Sequence, residues 1–269
     1  MKFIYRLILR RPFFRGQYRL FFYLFNRNRL QLNTPILTQP LKGNFKLTCD
    51  TKTLIGAQIH YLGDYEGYIK TAFEQHIHPG NTVLDVGANI GFHTLFFSEL
   101  VGNQGKVLAF EPVKYNFEKI KDNIALNGYT NITLYQLALG NSNETFNIKA
   151  RQDDSNPGTF NLFEKGDLEI KCVIGDDIIK EKIDFIKIDV EGYELYAFQG
   201  LHKIIETNKP KIVFEYDRNY QLRTHESSTA IFDFLAQFNY QFHEIKHEGL
   251  VAIEDYTALV AGDVLALPQ

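Results

Sequence analysis

The stretch VLDVGANIGFHTLFF, residues Val83–Phe97, decides the fold prediction. It begins with an apolar run of strand length, then breaks at Gly87 and Gly91, and ends in apolar residues with helical spacing. Asn89 stands between the two glycines. A strand, a glycine-bearing turn and a helix in this order are typical of the ligand-binding unit of α/β proteins.

Outside this stretch, strand patterns and helix patterns follow one another along most of the chain. The strands predicted from short apolar runs are residues 82–87, 106–112, 131–139, 183–192, 210–216, 240–245 and 263–267. The predicted helices between them are residues 91–101, 116–128, 193–208 and 228–239. Strands that alternate with helices predict an α/β protein, in which a mostly parallel sheet carries helices on both faces.

The chain divides near residue 43 into two parts of different composition. Residues 1–43 read as a basic, aromatic N-terminal arm and a connector, and residues 44–269 read as one domain. Alternating apolar residues predict a hairpin over 44–59, and helical spacing predicts a helix over 64–77. With 45% hydrophobic residues among 269, the chain has enough apolar side chains for one large core.

The cysteines and histidines show no disulfide or zinc pattern. Cys49 and Cys172 lie far apart and lack CxxC spacing, and the eight histidines form no HExxH motif. We therefore expect no disulfide framework and no metal ligands among these residues, and a reducing, cytoplasmic location.

The charge of the arm is opposite to that of the domain. The first 49 residues contain ten basic and no acidic side chains, whereas the remainder carries 19 basic and 32 acidic ones, a net charge of −13. Phenylalanines and arginines alternate over residues 1–31, and no apolar run reaches the length of a membrane span. Two interpretations stay open: peripheral binding to an anionic membrane surface, or packing on the domain with the arginines in solvent. Nucleic acid is an unlikely partner, because the acidic domain repels phosphates.

The turn after the first strand predicts a binding site for a nucleoside without phosphates. Parallel sheets bind ligands at the carboxyl ends of their strands. In a dinucleotide site, a second glycine would stand where this chain has Asn89, and a pyrophosphate would meet that side chain. Asp85 adds a carboxylate before Gly87 and Gly91, which suits a cationic or amine-bearing ligand.

The ends of the next strands supply further candidates for the same site. Glu111 follows Gly91 by 20 residues, the spacing at which a carboxylate accepts hydrogen bonds from ribose hydroxyls. Leu137 and Ala138 are small or apolar groups that suit the flank of an adenine ring, with plain strand packing as the alternative.

Carboxylates cluster after the fourth and fifth parallel strands. Asp189, Glu191 and Glu194 fall within six residues of the end of a buried strand. Because burying charges is costly unless something compensates, we expect a pocket there, with helix capping as the alternative for the two glutamates. Glu215 at the end of the next strand is predicted to face the same cleft. His225 is interpreted as a loop residue that is more exposed than catalytic.

With these motifs, the chain resembles the FkbM family of class I S-adenosylmethionine-dependent methyltransferases. The words that carry the resemblance are VLDVGANIGFHT, VLAFEP, LALG and DFIKIDVEGYE, in this order between residues 82 and 194. The resemblance implies a Rossmann-like fold with a seven-stranded sheet whose last strand is antiparallel. It also implies S-adenosylmethionine as cofactor and O-methylation of a sugar, glycolipid or polyketide-like acceptor.

The resemblance also implies roles for individual residues. It places Asp85, Gly87, Asn89 and Gly91 at the methionine part of the cofactor. It places Glu111 at the ribose, Leu137 and Ala138 by the adenine, and Asp189 next to the transferred methyl group. A carboxylate there suits removal of a hydroxyl proton, so the predicted catalytic residues are Asp189, Glu191 and Glu215.

Several alternatives remain open from the sequence. A nicotinamide-dependent oxidoreductase has a similar fold, although Asn89 and Phe92 disagree with its fingerprint. A non-catalytic protein that binds membranes or RNA through the arm is the other alternative. Asp189 with Glu191 or Glu194 also offers the oxygen ligands of a divalent cation, but no metal site is assigned. Residues 151–165 and 217–228 are expected to shape the acceptor pocket.

Overall fold

The computed structural model describes residues 2–11, 14–149, 166–223 and 226–269, and no statement below concerns the structure of the others. Its helices are α1 Lys2–Leu9, α2 Gln17–Asn26, α3 Leu54–Tyr61, α4 Gly67–His76, α5 Phe92–Val101, α6 Lys114–Asn127, α7 Gly175–Ile178, α8 Glu194–Gln199, α9 His202–Asn208, α10 Arg218–Arg223 and α11 Ala230–Ala236. Its strands are β1 Ile36–Thr38, β2 Leu47–Cys49, β3 Thr82–Val86, β4 Lys106–Phe110, β5 Ile132–Tyr135, β6 Ala138–Leu139, β7 Glu144–Ile148, β8 Leu168–Val173, β9 Phe185–Ile188, β10 Lys211–Asp217, β11 Tyr240–Lys246, β12 Gly249–Ala252 and β13 Ala261–Pro268.

The central sheet has the strand order β12-β11-β13-β10-β9-β3-β4-β5. The five strands from β10 to β5 pair in parallel, and β13 runs antiparallel between β10 and β11. The predicted α/β fold is confirmed, but the described sheet has eight strands instead of seven. The additional strand is β12, which forms an antiparallel hairpin with β11 at the sheet edge.

Alternate residues of the central strands face two separate hydrophobic cores. Leu84 and Ile186 belong to a core with side chains of α8, α9 and α11. Val83 and Phe185 belong to a second core with side chains of α3, α4 and α5. Since successive side chains of a strand point to opposite faces, the sheet is covered by helices on both. The sequence order reverses between β9 and β3, the place where such sheets bind ligands.

The predicted hairpin over residues 44–59 is wrong. Only its first half is a strand, and β2 pairs instead with β1. The second half is helix α3, because the side chain of Thr53 accepts a hydrogen bond from the backbone of Gly56 and caps the helix. Ile55 and Ile59, four residues apart, then point to one face and are buried in the core.

The predicted strand over 131–139 is divided into two. Residues Ile132–Tyr135 pair with β4 at the edge of the central sheet. Residues Ala138–Leu139 leave that sheet and pair with β8, which also pairs with β7 in a separate three-stranded sheet. This change of partner brings the second sheet beside the carboxyl ends of the central strands.

The N-terminal arm packs on the domain. Helices α1 and α2 share a hydrophobic core with α3, in which Leu9, Phe21, Phe25 and Tyr61 are buried. The division at residue 43 stays a prediction, and the β1–β2 pairing crosses it. Among the described residues, no helix is both long enough and apolar enough to cross a bilayer.

Candidate active site

The turn between β3 and α5 lines a cavity at the carboxyl end of the central sheet. Gly87, Asn89 and Gly91 all have left-handed backbone, with φ of 81°, 52° and 86°. A Cβ atom on Gly87 would lie 1.9 Å from the carbonyl oxygen of Asp189, so the close approach of the two loops requires glycine. Asparagine is among the residues that tolerate this conformation best, which explains why Asn89 can stand where a glycine is expected.

Glu111 is a buried carboxylate at the end of β4. The backbone N–H groups of Asn89 and Val113 donate hydrogen bonds of 2.9 Å to its two oxygens, and the Asn116 amide donates one of 3.5 Å. Burial raises the pKa of Glu111 to about 7, against the opposing effect of these bonds. The carboxylate is therefore held rigidly, and it lines the cavity. With three of about four lone pairs engaged, Oε2 keeps one for a further donor.

An apolar wall lies beside Glu111 in the same cavity. The residues that form it are Phe110, Leu137, Ala138, Leu139, Ile148 and Ile170. They come from β4, from the strand break before β6, and from the separate sheet. The wall and the carboxylate together fit a flat apolar ring that carries a hydroxyl-bearing group.

Lys187 is the cation of the opposite end of the cavity, and its side chain is buried. Its Nζ lies 3.1 Å from Asp189 Oδ2 and 3.9 Å from Asp85 Oδ1. Burial lowers the pKa of Lys187, but the two carboxylates raise it more, so the net shift is upward. Lys187 therefore stays charged and fixes Asp189 at the cavity wall.

A tight loop after Asp189 aims Glu191 toward the cavity. Glu191 and Gly192 have left-handed backbone, with φ of 54° and 98°. The buried Glu194 carboxylate accepts hydrogen bonds from the backbone N–H groups of Val190 and Gly192. Glu194 thus supports the loop, and burial raises its pKa to about 7. Glu191 itself accepts a hydrogen bond of 3.0 Å from the Tyr220 hydroxyl.

Glu215 completes an acidic cluster. Oxygen atoms of Asp189, Glu191 and Glu215 lie within 4.8 Å of one another. Burial raises the pKa of Glu215 to about 10, and the neighbouring carboxylates act in the same direction. Exposed acidic groups often have such spacing without a metal ion. The sequence expectation that no metal is bound stays a prediction.

The cavity lining includes most of the predicted site residues. They are Gly87, Asn89, Glu111, Ala138, Asp189, Glu191 and Glu215. Asp85 lies beneath the cavity, fully buried, where its Oδ2 accepts a hydrogen bond of 2.6 Å from Thr94. Gly91 faces Ile120 of α6 at the start of α5. Neither residue lines the cavity, so their roles at the cofactor stay predictions.

Sequence reasoning missed four residues around the acidic cluster. Tyr65 and Glu66, between α3 and α4, line the cavity, and they had no signal because they precede the first parallel strand. The sequence did contain a signal for Lys187, since a lysine inside the apolar run of a buried strand needs a charged partner. Asp263 accepts a hydrogen bond of 2.5 Å from Tyr68, and burial raises its pKa to about 7.

Some predictions concern residues outside the described ranges. His225 and the acceptor loop over 151–165 are not described, so nothing in the structure tests them. Residues 217–223 and 226–228 of the second predicted acceptor loop are described. Among them, Tyr220 approaches the cluster through its bond to Glu191.

Two relatives are each similar to a little under half of the chain. The hexuronic acid methyltransferase AglP of Haloferax volcanii is 29% identical over 127 residues, which cover 46% of this chain and 51% of AglP. The methyltransferase sdnD of Sordaria araneosa is 27% identical over 162 residues, covering 46% of this chain and 61% of sdnD. The chain thus spans about half to three fifths of these relatives.

A solved structure and a family model complete the comparison. The crystal structure of methyltransferase FkbM from Methylobacillus flagellatus superposes with a TM-score of 0.46 at 18% identity. The superposition covers 78% of this chain and 52% of that one. The model of the methyltransferase FkbM domain matches residues 85–242, more than half of the chain, including the turn after β3 and the acidic cluster. The chain therefore belongs to the FkbM methyltransferase family, and its cofactor is S-adenosylmethionine.

Proposed function

We propose that the protein transfers a methyl group from S-adenosylmethionine to a hydroxyl group of a sugar, glycolipid or similar acceptor. One observation carries the proposal. A single cavity has the rigid carboxylate of Glu111 and an apolar wall at one end, and the cluster of Asp189, Glu191 and Glu215 at the other. The name of AglP supports a sugar as the acceptor class.

The residues at the Glu111 end fit the adenosine part of the cofactor. Glu111 accepts hydrogen bonds from the ribose hydroxyls, and the wall that includes Leu137 and Ala138 contacts the adenine. Gly87 and Asn89 border the path toward the acidic end, where a positive charge is stabilised. When bound, the cofactor supplies a methyl group on a positively charged sulfur, which makes the methyl carbon a good electrophile.

Asp189 holds the position of a general base. It lines the cavity, its side chain is 30% exposed, and Lys187 contacts one of its two oxygens. The Lys187 ammonium holds Oδ2 at 3.1 Å, so the carboxylate has a fixed orientation toward an acceptor in the cavity. Asp189 would take the hydroxyl proton while the acceptor oxygen bonds to the methyl carbon, the bond from that carbon to sulfur breaks, and the neutral thioether S-adenosylhomocysteine leaves.

Glu215 and Glu191 position the acceptor on either side of this base. Because its pKa is raised to about 10, Glu215 is protonated at neutral pH in the free protein. A protonated carboxyl donates a hydrogen bond, for which the acceptor's other oxygens are partners. Tyr220 holds Glu191 in place through its 3.0 Å hydrogen bond. The alignment of oxygen, carbon and sulfur is the main requirement of methyl transfer.

The charge of the described cavity wall favours a neutral sugar over a hexuronic acid. Glu66, Asp189 and Glu191 line the cavity beside the protonated Glu215, and Lys187 is already paired with two aspartates. Residues 150–165, which the structure does not describe, contain three acidic and two basic side chains, so their composition adds no net positive charge. A carboxylate on the acceptor would meet repulsion from this wall.

The decisive experiment incubates the purified protein with S-adenosylmethionine and matched neutral and uronic acid glycosides. Mass spectrometry reads the gain of one methylene unit on the product. We expect a gain on a neutral glycoside and less on its uronic acid counterpart. A larger gain on the uronic acid glycoside would overturn the proposed preference for a neutral sugar, but it would still support O-methylation. Methylation of amines but of no hydroxyl would overturn the proposed reaction.

The variant Asp189→Asn tests the proposed base on whichever acceptor is methylated. We expect kcat to fall by about 10²–10⁴-fold, the usual contribution of a general base. The affinity for S-adenosylhomocysteine, measured by calorimetry, should change little. The matched control is Asp122→Asn, an exposed residue of α6, which should leave both quantities unchanged. Unchanged kcat in Asp189→Asn would remove this residue from the mechanism.

The other functions considered from the sequence lack this support. The family match favours neither a nicotinamide-dependent oxidoreductase nor a non-catalytic RNA-binding protein. The contact of residues 1–31 with a membrane is a separate proposal, because it rests on the outer surface of the molecule and not on the cavity.

A further inference from the structure

The outer face of α1 is an unusually apolar surface. Phe3, Ile4, Leu7 and Ile8 are 68%, 54%, 53% and 41% exposed. Residues with this spacing share one face of a helix. The outer α1 face therefore presents four large apolar side chains side by side. Scattered apolar residues are ordinary on a surface, but a contiguous group indicates an interaction site.

Arg6 of α1 and Arg10, the residue after the end of α1, point inward instead of outward. Arg6 Nε donates to the His60 carbonyl at 3.4 Å, and Arg10 Nη1 donates to the same oxygen at 3.0 Å and to Ile59 at 3.4 Å. These carbonyls lie in the last turn of α3, where the helix dipole favours cations. The expectation that the arginines of a packed arm lie in solvent is therefore wrong for these two.

These contacts fix the rotation of α1. Leu9 is fully buried in the core that α1 shares with α2 and α3, on the same side as Arg6 and Arg10. Rolling α1 to hide Phe3 and Leu7 would break the arginine bonds and expose Leu9. The apolar face is thus held outward by the packing of the helix.

Basic side chains are exposed in the same arm as the outer α1 face. The exposed ones among the described arm residues include Arg11, Arg15, Arg19, Arg27 and Arg29. Helix α2 adds the exposed aromatic residues Tyr18, Phe22 and Tyr23. No acidic residue occurs among the first 49, so no carboxylate of the arm offsets this charge.

We propose that the outer α1 face and the exposed arm arginines bind the protein peripherally to an anionic lipid surface. Apolar side chains at the centre enter the boundary between headgroups and acyl chains, while arginines around them attract anionic headgroups. A second copy of the chain fits less well, because a symmetric contact brings the same arginines together. Nucleic acid offers no matching site for Phe3, Ile4, Leu7 and Ile8.

The test is co-sedimentation of the full chain with vesicles. We compare phosphatidylcholine vesicles that contain phosphatidylglycerol with vesicles of phosphatidylcholine alone, at low and physiological salt. We expect binding to the anionic vesicles that weakens as salt rises. The double variant Phe3→Ser/Leu7→Ser should bind about tenfold or more weakly, because it removes two large apolar side chains from the contact. The double variant Arg15→Gln/Arg19→Gln should bind more weakly and with a smaller salt dependence.

The control replaces two exposed apolar residues elsewhere. Leu126 and Val251 are each 46% exposed, and Leu126→Ser/Val251→Ser should bind vesicles like the unaltered protein. Affinity for S-adenosylhomocysteine is measured on every variant, so a misfolded protein or a wrong cofactor assignment is recognised independently. Failure of the unaltered chain to bind anionic vesicles at low salt overturns the proposal. So does equal binding by Phe3→Ser/Leu7→Ser, or a dimer in light scattering that this variant abolishes.

Discussion

The two ends of the cavity hold their carboxylates in opposite ways. Glu111 stands alone, and three donors from the protein bind its oxygens. At the other end, Asp189, Glu191 and Glu215 crowd within 4.8 Å, and Lys187 is the cation with which Asp189 is paired. Burial raises the pKa of Glu111 to about 7 against the effect of its donors, whereas burial together with the neighbouring carboxylates raises the pKa of Glu215 to about 10.

This difference teaches what each end is suited to bind. A carboxylate whose geometry is fixed by donors selects groups by position, as ribose hydroxyls require. A crowded group of carboxylates responds to charge, since a bound cation or proton relieves their mutual repulsion. In the proposed function, one end orients the cofactor, and the other responds to the charges that appear and disappear during methyl transfer.

Removing Lys187 should have the largest effect on stability. Lys187→Met leaves Asp85 fully buried without its cationic neighbour, and breaking such a buried pair costs about 3–5 kcal/mol. Urea denaturation measures the free energy of unfolding. The control Lys106→Met breaks a surface pair with Glu181 and should cost no more than about 1 kcal/mol. Similar losses in the two variants would mean that the acidic end does not depend on its cation.

Glu111→Gln should weaken the cofactor site with a smaller effect on the fold. Hydrogen bonds to a charged group contribute about 1.5–3 kcal/mol, so the affinity for S-adenosylhomocysteine should fall about 10–100-fold. Isothermal titration calorimetry measures it, and S-adenosylmethionine should lose the same factor because Glu111 does not sense the sulfonium. Glu118→Gln, on the exposed side of α6, is the control. Unaltered affinity in Glu111→Gln would contradict the ribose assignment.

Glu215 should make the protein less stable as pH rises. Its pKa rises from 4.5 to about 10 on folding, so the folded state keeps a proton that the unfolded chain has released. Its stabilising contribution is complete below pH 4.5 and is lost progressively up to about pH 10. Glu111, Glu194 and Asp263 have pKa values of about 7 and also release protons near that pH, so Glu215 is separated from them by comparing thermal unfolding with and without its carboxyl group.

The control for this pH dependence is the neutral variant Glu215→Gln. Its unfolding midpoint should fall less between pH 7 and about 10 than that of the unaltered protein. Parallel pH profiles would show that Glu215 releases its proton at an ordinary value and that the acidic end is better solvated than the structure indicates.

The alternation of strands and helices and the main polar groups of the cavity could be read from the sequence. Parallel strands bring their carboxyl ends to one edge, so the residues that follow them, such as Gly87, Glu111 and Asp189, meet there whatever the details of packing. The prediction of a hairpin over 44–59 was wrong because apolar and polar residues alternate only as far as Cys49. The residue that caps the following helix, Thr53, was not recognised as a helix start. Tyr65 and Glu66 could not be found, since no local pattern links a loop before β3 to that edge.

The sequence by itself determined the α/β class, the family and the carboxylates of the sheet edge, because these depend on local periodicity and on motifs of adjacent residues. Only the tertiary structure decided which carboxylates share a cation, which of them keep a proton, and which way α1 faces. Those properties depend on burial and on charges brought together from distant parts of the chain. The contact of Lys187 with Asp85 joins residues about 100 positions apart in sequence. The contact of Arg10 with the end of α3 joins residues about 50 positions apart.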